Sequence, residues 1–119
     1  MLVENDKASA VQYMSSTMPL PADKMDIAIC TAMAGEMLGL KLIYLEAGSG
    51  AQQCVPTTMI GQVKQNISIP LLAGGGIRTP EQANEAATAG ADIIVIGTAF
   101  EKNPGLISEM ADAVHHGTK

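Results

Sequence analysis

Apolar residues follow two rhythms along this chain. Short runs with almost no polar interruption (Leu42 to Leu45, Ile69 to Ala73, Ile93 to Ile96) alternate with stretches where apolar positions return every three or four residues. The compact runs read as strands of a parallel sheet, and the longer period reads as helices with one buried side. Met1 to Val3 reads as a first short strand, stopped by Glu4-Asn5-Asp6. Residues 7–18 are mixed and read as loop, and Pro19-Leu20-Pro21 breaks the chain again. Asp23 is expected to cap a first helix whose buried face is Ile27, Cys30, Ala34 and Leu38, with Gly39 ending it. A second helix is expected near Val55-Pro56, with Met59, Ile60 and Val63 inward and Pro56 in the first turn. Thr79-Pro80-Glu81-Gln82 is a capping-box start for a third, packed through Ala83, Ala86 and Ala87 and ended by Gly90. Asp92 to Ile96 is the next strand, and a last helix is expected from Asn103-Pro104 to Val114.

The order is β-α-β-α-β-α-β-α, and strands alternating with helices imply a parallel α/β sheet. Four β-α units are half of a (β/α)8 TIM barrel. An open sheet of four parallel strands would leave two edges and an inner face bare. Residues 1–119 are therefore expected to form a single half-barrel (β/α)4 phosphate-binding domain that pairs with further units to close a barrel. A small open α/β sandwich is the alternative.

Composition narrows this picture. With 47% hydrophobic but only 3% aromatic residues, the core must be built from aliphatic side chains, and the eight methionines serve as adaptable filler. A net charge of -5 and no basic patch argue against nucleic acid as a partner. Cys30 and Cys54 show no metal or redox spacing and read as free thiols. No stretch reaches the roughly 18 apolar residues of a spanning helix, and no signal-peptide pattern opens the chain, so a soluble, cytoplasmic protein is expected.

The chemistry gathers at the C-terminal ends of the strands, where α/β proteins place their sites. Glu46 ends the second strand and runs straight into Ala47-Gly48-Ser49-Gly50-Ala51. Tyr44 alternates with Glu46, so the two should face the same side. Gly74, Gly75 and Gly76 follow the third strand, and Gly97-Thr98 the fourth. In a barrel these three glycine loops share one face and suit a phosphate. Each glycine could equally make a tight turn, and Glu46 could merely fix its loop. Beside a phosphate cradle, however, a general base becomes credible, since a tethered hydroxyl would lie within proton-transfer range. Arg78 could hold the anion or point outward.

The run Tyr44-Leu45-Glu46-Ala47-Gly48-Ser49-Gly50-Ala51, with Val55-Pro56 and Met59-Ile60, resembles the signature of the geranylgeranylglyceryl phosphate synthases and their bacterial heptaprenylglyceryl relatives. Gly74 to Arg78, Pro80-Glu81, Gly90-Ala91-Asp92 and Gly97-Thr98 are similar to the same family in the same order. The resemblance implies a barrel prenyltransferase that joins a polyprenyl diphosphate to sn-glycerol 1-phosphate, making the first ether bond of archaeal-type membrane lipids. It implies Glu46 and Tyr44 at the reacting hydroxyl, with Glu46 the base. It places Tyr44 through Gly50, Gly74 through Gly76, Gly97 and Thr98 around the glycerol phosphate. It also implies Mg2+, held by an aspartate on a first strand that has no counterpart here, since Asp6, Asp23 and Asp26 do not stand at a comparable strand end. Family members are full barrels about twice this length, and the chain matches their C-terminal half. A complementary N-terminal half-barrel or a homo-oligomer is the implied partner. Sugar- or indole-phosphate isomerases and synthases share the Gly-Gly-Gly and Gly-Thr loops but not the Tyr44 to Ala51 run. A non-catalytic phosphate-binding half-barrel is the other alternative.

Overall fold

The computed structural model describes residues 1–4 and 18–117. In chain order the elements are α1 (Met25–Met37), β1 (Ile43–Glu46), α2 (Thr57–Asn66), β2 (Leu71–Gly74), α3 (Pro80–Ala89), β3 (Ile93–Val95), α4 (Thr98–Lys102) and α5 (Leu106–His116). The sheet runs β1-β2-β3, and both pairings are parallel. The anticipated first strand is reduced to two isolated parallel bridges, Leu2 with Glu46 and Val3 with Leu20. It still lies beside β1, where the unit order requires it. Asp6 and most of the expected loop at 7–18 lie outside the described residues.

The strand register sorts the side chains into two faces. Tyr44 pairs with Leu72 and Leu72 with Ile93; Glu46 pairs with Gly74 and Gly74 with Val95. In-register parallel residues point the same way, so these form two rows on one face of the sheet. The opposite face carries Ile43, Leu45, Leu71 and Ala73, which are buried against Ala28, Ala32, Met59, Ile60 and Val63 of the helices. Leu45 and Leu71 lose all exposure, and each such burial contributes about 1.5–3 kcal/mol. A second cluster joins Ile77, Ala83, Ala99 and Met110, with Ile94 bridging the two. Helices thus cover one face of the sheet. The other is partly open, with Ile93 49% and Val95 38% exposed.

Local signals are realised where they are self-sufficient. Thr79 caps α3 by accepting from the Gln82 N–H, Gln82 reaches back to the Thr79 N–H, and Gly90 ends the helix. Met59, Ile60 and Val63 are the buried face of α2, as expected, although Pro56 takes the N-cap and not the first turn. α1 differs. It begins after Lys24, without a side-chain cap from Asp23, and buries Ala28, Ala32 and Gly35. Ile27, Cys30, Ala34 and Leu38 face outward. This helix is apolar on nearly every side, so periodicity leaves its phase open. Close approach decides it: a Cβ on Gly35 would sit 3.1 Å from Ile43 Cδ1, so only small residues fit against the sheet. Leu42 is likewise half-exposed and precedes β1, not part of it. α4 was not anticipated, and α5 begins at Leu106, two residues beyond Pro104.

Candidate functional site

A cavity of about 310 Å3 opens at the C-terminal ends of the three strands. Tyr44 and Glu46 line it from β1. Ser49 and Gly50 come from the first glycine loop, Gly75 and Gly76 from the second, and Gly97 and Thr98 from the third. The topology thus brings together the three loops that the sequence placed on one face.

Glu46 is fixed, not free. Its Oε1 accepts a hydrogen bond from the Gly48 N–H at 2.7 Å, and the Tyr44 hydroxyl is hydrogen-bonded to the same carboxylate. Burial, and then the bond to Glu46 and its charge, raise the Tyr44 phenol well above its ordinary range. At neutral pH the phenol keeps its proton and serves Glu46 as a donor. The pair can orient a hydroxyl and accept a proton from it.

The expected cradle is more selective than the sequence suggested. Leu45 and Ala47 are fully buried in the core, so a substrate-binding role for them does not extend to their side chains. The Gly48 amide is occupied by Glu46. Gly74 lies under the Tyr44 phenol and does not line the cavity. Ser49, Gly50 and Gly97 are exposed, with space around the two glycines: a Cβ at Gly50 or Gly97 would meet nothing within 4 Å.

Arg78 turns inward as a strap. Its Nη1 donates to the carbonyls of Gly76 at 3.1 Å and Gln52 at 3.3 Å, and its Nη2 donates to Ala51 and, at 3.5 Å, to Gly50. The guanidinium joins the loop after β1 to the loop after β2 and brings positive charge to the cavity wall. Cys54 adds a weaker tie, its thiol donating to the Gly76 carbonyl; burial raises this thiol above its ordinary range, opposed by the charge of Arg78. Lys102 and Asn103 also line the cavity, as do Val95, Ile96 and Leu106. Sequence reading missed these residues. Their one signal was a basic residue close behind Gly97-Thr98, and placing it needed α4.

Among the described residues, no three His, Cys, Asp or Glu side chains gather closely enough to hold a metal ion. Asp23 and Asp26 lie at the start of α1, exposed. No described helix is long and apolar enough to cross a membrane.

The chain is 52% identical over 115 residues to the geranylgeranylglyceryl phosphate synthase of Chitinophaga pinensis, covering 97% of this chain and 46% of that protein. It is 55% identical over 97 residues to the enzyme of the same name from Thermococcus kodakarensis, covering 82% of this chain and 38% of the relative. Among solved structures it is similar to (S)-3-O-geranylgeranylglyceryl phosphate synthase from Thermoplasma acidophilum in complex with its substrate sn-glycerol-1-phosphate. The TM-score there is 0.88 at 34% identity, over 97% of this chain and 48% of that one. The chain spans about half the length of the relatives it matches, and the fold is correspondingly half of their TIM barrel. The PcrB family model matches residues 1–118, and the chain belongs to the PcrB family.

Proposed function

We propose that this chain is the glycerol-phosphate-binding half of a prenyltransferase that joins a polyprenyl diphosphate to sn-glycerol 1-phosphate. The observation that carries the reading is the Tyr44–Glu46 pair, hydrogen-bonded at a strand end and opening on a cavity ringed by glycine loops. The substrate bound to the Thermoplasma acidophilum relative supports it.

In this reading the phosphate lies against Ser49-Gly50, Gly76 and Gly97-Thr98, with open space beside Gly50 and Gly97. That anchor presents the free hydroxyl to Tyr44 and Glu46. The hydroxyl oxygen forms a bond to the first carbon of the prenyl chain while that carbon's bond to diphosphate breaks. The hydroxyl proton passes to Glu46, which the Tyr44 O–H and Gly48 N–H hold in place. Magnesium comes into the proposal through the resemblance alone. Among the described residues no three His, Cys, Asp or Glu side chains gather to hold it, and it has no part in the steps assigned to them. A complementary half-barrel, or a second copy, would cover the open face of the sheet at Leu72, Ile93 and Val95. A cytoplasmic setting, in keeping with two free thiols, belongs to the same proposal.

Glu46→Gln tests the reading. In a barrel reconstituted with a complementary N-terminal half, calorimetric titration should show sn-glycerol 1-phosphate binding retained, and prenyl transfer should fall by about 100-fold or more. Normal turnover would remove Glu46 from the mechanism. Failure of the unmodified protein to bind the ligand would remove the reading as a whole.

A further inference from the structure

The three consecutive glycines at the end of β2 do not play one role. A Cβ built on Gly74 would lie 2.6 Å from the Tyr44 hydroxyl oxygen and 3.0 Å from both Cβ and the carbonyl oxygen of Val95. A Cβ on Gly75 would lie 2.6 Å from Glu46 Oε1 and 2.7 Å from the Gly48 nitrogen. Those last two atoms are the two ends of the bond that holds the carboxylate. Approaches under 3.0 Å are essentially never made by real Cβ atoms. The nearest atom in the space left by each missing side chain therefore comes from β1, the phenol at one position and the carboxylate at the next, with Val95 closing in on the first and the Gly48 backbone on the second. Gly50 and Gly97 flank the same cavity and differ in kind, since nothing approaches within 4 Å of where their Cβ would stand. The space beside them is open at the cavity, whereas Gly74 and Gly75 face the acid and its donor.

We propose that Gly74 and Gly75 are positioning residues, a two-residue seat that sets the Tyr44 phenol and the Glu46 carboxylate at the strand end. What the seated pair does rests on the functional reading above, but the seat itself rests on geometry. It ties Gly74, the last residue of β2, and Gly75 just beyond it to a tyrosine and an acid on β1 through the sheet register, in which Glu46 is paired with Gly74. Gly75 has φ +88°, where any side chain is strained whatever the space, so a substitution there would confound backbone and contact. Gly74 is not in that region, so alanine at this position tests the contact without that strain.

The test is a double-mutant cycle of Gly74→Ala and Tyr44→Phe in the full chain. Alone, Gly74→Ala should lower the unfolding temperature and drive the phenol from its seat. Tyr44→Phe removes the oxygen that the new methyl would meet, so the Gly74→Ala deficit should shrink in that background by about 4–8 °C. The rescue stays partial because Val95 still crowds the methyl. Ultraviolet titration, with the Tyr44→Phe chain subtracting Tyr13, should show the Tyr44 phenol moving down toward its ordinary range near 10 in Gly74→Ala. A merely structural loss would leave that titration where it was. In the reconstituted barrel kcat should fall about 10–100-fold, with KM for glycerol phosphate little changed. If Gly74→Ala does not fold, folding of the double variant supports the seat and its failure overturns it. Additive costs with an unmoved phenol titration overturn it as well. The two readings fail separately: loss of ligand binding by the unmodified protein removes the function, whereas additivity removes the seat.

Discussion

Arg78→Lys separates two roles that a cation at a phosphate cavity could have. The lysine keeps the charge but not the planar fork, and it cannot reach four carbonyls on two loops at once. Two of the four contacts, at 3.3 Å and 3.5 Å, are long and contribute little. The other two, to Gly76 and Ala51, are charge-assisted. At this exposed residue solvent competition leaves them worth about 1 kcal/mol each. Losing one or both releases the Ser49-Gly50 loop at a cost of about 1–2 kcal/mol. If the strapped loop is the one that binds, affinity falls about 5–30-fold. Calorimetric titration of sn-glycerol 1-phosphate at low and high ionic strength reads this directly. The strap predicts a similar fold-loss at both, because the charge is still present. Wild-type affinity for Arg78→Lys, together with salt-sensitive loss for Arg78→Gln, would refute the strap and make Arg78 a direct anion contact.

Three further outcomes are expected. Thr79→Ala removes the acceptor for the Gln82 N–H and should cost about 1 kcal/mol, seen as a drop of about 4–8 °C in unfolding temperature; no change would show that the capping box is idle. In the folded protein a thiol reagent at pH 8 should modify exposed Cys30 well before Cys54, whose thiol is partly buried, raised in pKa and bonded to Gly76, with the difference vanishing in denaturant. Equal rates in the native state would contradict that environment. The raised Tyr44 phenol means the folded state holds a proton that the unfolded state gives up near pH 10, so stability should be constant below that value and fall above it. Denaturant midpoints compared with Tyr44→Phe would show this, and parallel pH profiles for the two chains would exclude Tyr44 as the source.

Some elements were legible because a few neighbouring residues specify them. The capping box at Thr79-Gln82, the α2 face of Met59, Ile60 and Val63, and the strand ends carrying Glu46 and the glycine loops are of this kind. Gathering those loops on one face also followed from sequence, since alternating strands and helices imply parallel strands whose C-terminal ends lie together. α1 was misphased because Ile27 to Ala34 is apolar almost all round, and the steric limit at Gly35 against Ile43 belongs to a contact between elements.

By itself, then, the sequence determined that a carboxylate, a phenol and three glycine loops would meet at one edge of a parallel sheet. Chain order and the two-residue period of a strand are enough for that. Only the tertiary structure decided which glycine does what. Gly48 gives its amide to Glu46, Gly74 and Gly75 leave room for Tyr44 and Glu46 of β1, and Gly50 and Gly97 border the cavity with open space beside them. The physical reason is that glycine has no side chain, so its role is set by the backbone angle it adopts and by whatever enters the space beside it. At Gly74 and Gly75 that space is filled by atoms more than twenty residues away in the chain, and only folding brings them there.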